Sequence, residues 1–432
     1  MHVKHTQPKR LSIGIVGGGI GGVAFAVALS RDSGLDVQLF EAAPQFSEIG
    51  AGVSFGPNAV RAIQLLGLEA AYQRIADASP APFEDVWFEW RRGSDDTYLT
   101  ASLAPGVGQS SVHRADFLDA IVAHLPEGIA HFGKRCVAVT QDAASATAHF
   151  DDGTHFTGDV IIGFDGIKSA VRSHVLPPDQ FGDIAPFWSG TYAYRGMIPT
   201  HTLETALEAN GSEKRLAWVP QMYLGKDRHI LTFPVKQSQL VNVVAFITDR
   251  SVPHPRLPDG EEWVQAVSQQ EMLHVFQGWS PACQAILASI AEPTRWALHE
   301  LPELPFYRRE RVMVVGDAAH ALVPHQGAGA GQALEDAYVL ATLLTDVRCD
   351  HRPVSDVLAA FEHVRHARTC RAQRTSHDAG DVYEYSGKGI GGDESKLIHD
   401  LENRFDWLWN HDPHDDVIAA RQYLETVSRD RL

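Results

Sequence analysis

The sequence predicts a mixed α/β protein in which a Rossmann-like nucleotide-binding lobe joins an antiparallel-sheet lobe and is followed by C-terminal helices. Three observations carry this. A glycine-rich turn, Gly17-Gly18-Gly19-Ile20-Gly21-Gly22, separates an apolar strand-like run from a helix-like one. Strand formers dominate from about Phe187 to Phe246 with little helical period. A strand ending in Gly316-Asp317 and leading into a helix then brings the βαβ pattern back late in the chain, so the nucleotide lobe is discontinuous.

In order, Leu11 to Val16 reads as a buried strand, Val23 to Ser30 as helix and Val37 to Phe40 as a second strand ending at Glu41. Gly50-Ala51-Gly52 reads as loop. Asn58 to Leu68 follows the Gly56-Pro57 turn with helical period. Arg114 to Leu125 is another helix, and Cys136 to Phe150 and Thr154 to Ile162 form a hairpin around Asp151-Asp152-Gly153. Thr191 to Arg195, Ile230 to Val235 and Val241 to Ile247 supply the second sheet. Arg311 to Val315 is a strand, Gly331 to Leu344 a helix, and the polar helical tail carries an aromatic cluster at Phe405, Trp407, Leu408 and Trp409 that is expected to pack on the main body.

The chain has 432 residues, enough for two lobes with cores of their own. Its formal charge of -17 repels phosphate backbones and anionic lipid over a Debye length of about 8 Å, which argues against nucleic-acid and membrane partners. An anionic substrate feels the same repulsion, so its site should contain Arg, Lys or His. Cys136, Cys283, Cys349 and Cys370 form no paired metal or redox spacing, and with no signal-like segment surviving the glycine cluster a cytoplasmic location is expected. Monomer and homodimer both remain open.

Gly17, Gly19 and Gly22 fit G-x-G-x-x-G: turn, close approach of a pyrophosphate, and tight helix–strand packing. Glu41, 19 residues beyond Gly22, is placed to accept from the ribose hydroxyls of an adenosine. This much suits NAD or FAD equally. The choice falls to Val312 to Val315, followed by Gly316-Asp317-Ala318-Ala319-His320 and Pro324-His325-Gln326-Gly327-Ala328-Gly329-Ala330-Gly331. There Asp317 can bind a polyol such as ribitol, and the amides around Gly329 and Ala330 can reach the edge of a flavin ring. A third segment, Asp159 to Arg172, places Asp165-Gly166 at another strand end.

In order and spacing these three segments resemble the single-component FAD-dependent aromatic hydroxylases, the 4-hydroxybenzoate hydroxylase family. The strings Glu84 to Gly93, Val219 to Gly225, Val243 to Arg250 and Arg404 to His411 resemble, within it, the bacterial salicylate hydroxylases over nearly the whole chain. The resemblance implies a discontinuous FAD-binding domain over 1–84, 105–182 and 295–380, a substrate domain over 85–104 and 183–294, and a helical segment over 381–432. It implies tightly but non-covalently bound FAD and NADH as electron donor. Arg114 would contact FAD, Glu41 its adenosine ribose and Asp317 its ribitol, and the Asp165-Gly166 segment would serve both FAD and the pyridine nucleotide. Phe164 departs from the pattern, where the family has a small residue. The implied reaction is salicylate, NADH and O2 giving catechol, carbon dioxide, NAD+ and water through a flavin C4a-hydroperoxide.

That chemistry needs a base for the phenol proton, and His325, beside the flavin loop, is the candidate catalytic group; a core imidazole is the plain alternative. Arg250, at the end of an apolar strand, is the candidate for the substrate carboxylate, against a surface salt bridge. Met222, Trp87, Phe246 and His229 are candidates for the ring pocket. Lys168 and Arg172 could attract nucleotide phosphates. Asp317, His320 and His325 have no metal-site spacing, so no metal is expected. Hydroxylation of another small aromatic acid, a hydroxybenzoate or 6-hydroxynicotinate, a flavin oxidoreductase without oxygen insertion, and a catalytically silent nucleotide-binding regulator are the competing functions.

Overall fold

A computed structural model describes residues 10–47, 51–252, 255–350, 352–390 and 392–429. Nearly all of Met1 to Arg10, Gly50 of the expected loop, and the side chain of Cys349 lie outside what is described.

The first sheet runs in the order Arg308–Arg309, Val312–Val314, Val160–Gly163, Leu11–Val16, Leu35–Phe40, Ala130–His131. Every pairing but that of Arg308–Arg309 is parallel. Its central strands read as continuous apolar runs because helices cover both faces of a parallel sheet; Ile13, Ile15, Ile161 and Ile162 are fully buried. Helix Ile20–Ser30 is apolar around its circumference for the same reason, packed between the sheet and helix Gly329–Asp350.

The expected strand Thr154 to Ile162 is two strands. His155–Gly158 completes a three-stranded antiparallel sheet with Ala146–Phe150 and Cys136–Gln141, whereas Val160–Gly163 joins the parallel sheet. The chain changes sheets where Gly158 passes so close to the first strand that a Cβ would lie 2.9 Å from the Ser12 carbonyl, and Asp159 accepts a hydrogen bond from the Ser12 amide at 2.9 Å.

The second lobe is an eight-stranded sheet in the order Val264–Ala266, Thr294–Glu300, Phe187–Pro199, Leu240–Thr248, Arg228–Val235, Gln221–Gly225, Val86–Arg92, Tyr98–Leu103. Strand Thr294–Glu300, placed by the sequence reading with the nucleotide lobe, belongs here because it pairs along Phe187–Pro199. Alternation divides the side chains. Val243 and Ala245 point into a core with Tyr194, Tyr223 and Ile230 beneath helices Thr200–Ala209 and Pro281–Ala288. Val244, Phe246, Leu231 and Met222 point the other way, into a core that the tail closes with Phe405, Leu408 and Trp409. Among the described residues no helix is long and apolar enough to cross a membrane.

Candidate active site

A cavity of about 410 Å3 lies between the lobes, lined by Gly19 to Gly22, Gly52 to Ser54, the Gly316-Asp317 strand end and the 324–330 loop on one side, and by the inner face of the eight-stranded sheet on the other. Its size lies within the range of cofactor and substrate pockets.

The glycine turn is held by its neighbours. Gly17 has φ 109, and a Cβ there would lie 2.3 Å from the Phe164 carbonyl; one on Gly22 would lie 2.0 Å from the Gly17 carbonyl. No side chain caps helix Ile20–Ser30, so its first-turn amides face the cavity as an anion site. Glu41 accepts from the amides of Gly18 and Ala43, both at 2.7 Å, which fixes its carboxylate at the mouth of the turn. Asp317 is exposed on the cavity lining at the start of a short helix. Gly327 has φ 64, left-handed backbone that turns the loop so that Gly329 and Ala330 open the next helix against the cavity. An uncapped helix start, a carboxylate at the cavity wall and a cradle where a Cβ would clash fit FAD.

Two residues of that lobe do other work than expected. Asp165 accepts from Ser169 Oγ and from the amides of Ala170 and Val171, capping the short helix that follows, and Gly166 rather than Asp165 reaches the cavity wall. Arg172 is buried, its guanidinium donating to the carbonyls of Ala318 and Ile167, so it is not available to phosphates. Lys168 lies 4.0 Å over the Trp263 ring. Phe164 lines the cavity and packs against Phe25 at 5.3 Å, filling the space under the glycine turn that a small residue would leave open.

Trp87, Met222, Phe246 and His325 converge on the cavity wall. His325 is buried, and its Nδ1 has no hydrogen-bond partner. Helix Val354–Tyr383 passes so close that a Cβ on Gly380 would lie 2.8 Å from His325 Nε2. Burial, and then the neighbouring His229, hold His325 well below the usual imidazole value, so it is neutral. His320, by contrast, is committed to Asp336 through a 2.6 Å contact away from the cavity.

His229 does not line this cavity. It is fully buried one layer back, stacked on Phe246 at 4.2 Å with its centroid 5.2 Å from that of His325, and its Nδ1 donates to Glu384 at 2.9 Å. Arg250 is likewise absent from the first cavity. It lines a second one of about 630 Å3 that shares His325 with the first as a lining residue, and its guanidinium binds Glu384, Asp381 at 2.7 Å and Asp227 at 3.4 Å. Against the upward push of burial, the hydrogen bond from His229 and the charge of Arg250 bring Glu384 down to about 2.

The sequence reading missed Arg195. It lies on the cavity lining over the Trp296 ring at 4.7 Å, and its Nε has no partner. Burial and the nearby Arg114, which also lines the cavity, lower it to about 10, so it stays cationic. One charged residue inside an otherwise uncharged strand was its signal. Glu384 gave none, because a carboxylate at the end of a polar helix looks solvated. Arg114 and Arg195 against Asp317 make the lining locally positive in a chain of net charge -17.

Residues 10–376 match the FAD binding domain family. The chain is 56% identical to a salicylate hydroxylase of Pseudomonas putida, over 96% of this chain and 95% of that protein. It is 38% identical to a 6-methylsalicylate 1-monooxygenase of Aspergillus terreus, over 94% and 91%. A solved salicylate hydroxylase substrate complex superposes with a TM-score of 0.89 at 46% identity, covering 95% of this chain and 98% of that one. With its glycine turn, Gly316-Asp317 strand end and interlobe cavity, the chain belongs to the family of FAD-dependent monooxygenases that includes the salicylate hydroxylases.

Proposed function

We propose that the protein hydroxylates salicylate with loss of its carboxylate, consuming NADH and O2 and releasing catechol and carbon dioxide. The observation that carries this is His325: a buried, neutral imidazole with an unpartnered nitrogen, set between the flavin loop and an apolar ring pocket. Relatives named for salicylate and 6-methylsalicylate support the substrate.

Bound FAD supplies the electrons drawn from NADH and the activation of oxygen. The chain does the rest. The uncapped amides of helix Ile20–Ser30 would hold the cofactor's diphosphate, Glu41 its ribose and Asp317 its ribitol. Arg114 and Arg195 draw anions into an acidic protein. Trp87, Met222 and Phe246 bury the substrate ring and exclude water. The His325 imidazole accepts the phenol proton, which leaves an electron-rich ring ready for attack at the carbon bearing the carboxylate. The carboxylate sits beside His325, a lining residue of both cavities, and takes the place of Asp227 and Asp381, the partly exposed partners of Arg250, in a charge-assisted contact.

Turnover of salicylate with NADH, following catechol and carbon dioxide together, tests the reading. Equimolar catechol and carbon dioxide are expected, and a hydroxylated product that keeps its carboxylate would overturn it. His325→Ala is expected to lower catechol formation roughly 100-fold or more, the scale of a lost acid–base group, with FAD content unchanged.

A further inference from the structure

Behind His325 lies a buried polar group that an enclosed aromatic pocket does not need. His229 and Glu384 are both fully buried in side chain. With Nδ1 donating to Glu384, the Nε2 of His229 is an acceptor, and it too has no partner. Two orphaned imidazole nitrogens, on rings 5.2 Å apart, thus lie in one wall. An unsatisfied buried polar atom is costly to keep, and two together at a substrate pocket point to use.

The two rings differ in what they can hold. His325 touches no carboxylate, so a proton on it makes an uncompensated buried cation. A proton on His229 makes an imidazolium paired with Glu384, whose second oxygen is clamped by Arg250. At His325 the charges of His229, His377 and Arg250 all oppose a cation and Glu384 only partly offsets them, whereas His229 is in direct contact with Glu384. Asp381 and Asp227 lie beyond, on Arg250, and Tyr383 stands edge-on to His229 at 5.5 Å.

We propose that His229 is the resting place of the substrate's phenol proton and that Glu384 is the positioning residue that makes it so. The phenol O–H bond breaks, its electron pair stays on oxygen, and the proton passes through His325 to Nε2 of His229, whose ring centroid lies 5.2 Å from that of His325. Glu384 also clamps Arg250, so the group that receives the substrate carboxylate and the group that stores the phenol proton share one anchor. That anchor lies beyond residue 376, where the family match ends, which makes the tail part of the site.

The inference rests on the salicylate reading, and the test separates the two. A nitro-substituted salicylate, whose phenol and phenolate absorb differently, is titrated with pH on the FAD holoenzyme. The wild-type complex is expected to show phenolate at neutral pH. Glu384→Gln and His229→Gln are expected to need a pH about one unit higher, a tenfold loss of the ionised form at a given pH, with Glu384→Asp recovering part of it and FAD content retained in all. If one variant fails to fold, the other carries the test. Wild-type ionisation in both variants overturns the proposal alone. A shift in His229→Gln with none in Glu384→Gln overturns the role of Glu384. Failure of the wild-type holoenzyme to bind the probe overturns the salicylate reading and the proposal with it.

Discussion

A guanidinium surrounded by carboxylates recognises a new carboxylate only by exchanging one for another, and this decides how Arg250 and Arg195 are told apart. Arg250 keeps Glu384, fully buried, and can release Asp227 and Asp381, which are 35% and 38% exposed. Arg195 has no carboxylate to release but lies toward Arg114, on the cofactor side. Arg250→Ala is therefore expected to raise the KM for salicylate by one to two orders of magnitude, the worth of a charge-assisted hydrogen bond of about 1.5–3 kcal/mol, and to change that for a neutral phenol little. The same selective loss in Arg195→Ala instead would move the carboxylate to the other side of the pocket. At this scale the sequence showed the types of the site residues, since His325 and the glycines sit in contiguous motifs. It did not show that Arg250 and His229 share Glu384, because 155 residues separate His229 from it.

Elements were legible where one periodicity held from end to end. The strand, turn and helix from Leu11 to Ser30 stand where apolar runs and glycines place them. The reading failed where a strand's partner decides its sheet: Thr294–Glu300 and the split at Gly158 depend on pairings far along the chain. It placed the helices of the last third, Gly331 to Leu344 and the polar tail that packs on the main body, but it did not show what joins them. Arg365 there is fully buried. It donates to Asp336 at 2.8 Å, Glu335 at 2.6 Å and Asp416 at 3.0 Å, joining helices Gly329–Asp350, Val354–Tyr383 and Pro413–Arg429. Removing it leaves Glu335 with Arg368 and Asp336 with His320 but takes away the cation that the buried carboxylates share. Arg365→Met is expected to cost about 3–5 kcal/mol in urea unfolding, and Arg365→Lys to recover little, because an ammonium cannot fork between three carboxylates. A loss below about 1 kcal/mol would show that the network is open to water.

At the scale of the whole molecule the buried ionisable groups set how the fold meets acid. His325 has its folded value depressed, so its contribution is whole above 6.5 and declines as the pH falls and the unfolded chain gains a proton that the folded one refuses. Glu384, about 2 when folded against 4.5 when unfolded, contributes fully above 4.5 and loses that contribution between 4.5 and 2. Against the pull of burial, Glu335 is depressed in the same sense by Arg365 and then Arg368, and Asp336 by His320 and then Arg365. Asp77 and Asp165, raised by burial, act in the opposite direction, but each also accepts backbone hydrogen bonds that limit the effect. The depressed groups hold the interlobe wall and the three-helix junction together, so stability should fall gently below pH 6.5 and steeply below 4.5. Thermal unfolding of the holoenzyme across that range checks this. In Glu384→Gln the steep limb should be shallower and the starting stability lower, since the charge that titrates there is gone. An acid limb of wild-type steepness in that variant would assign the acid sensitivity to the Arg365 junction instead.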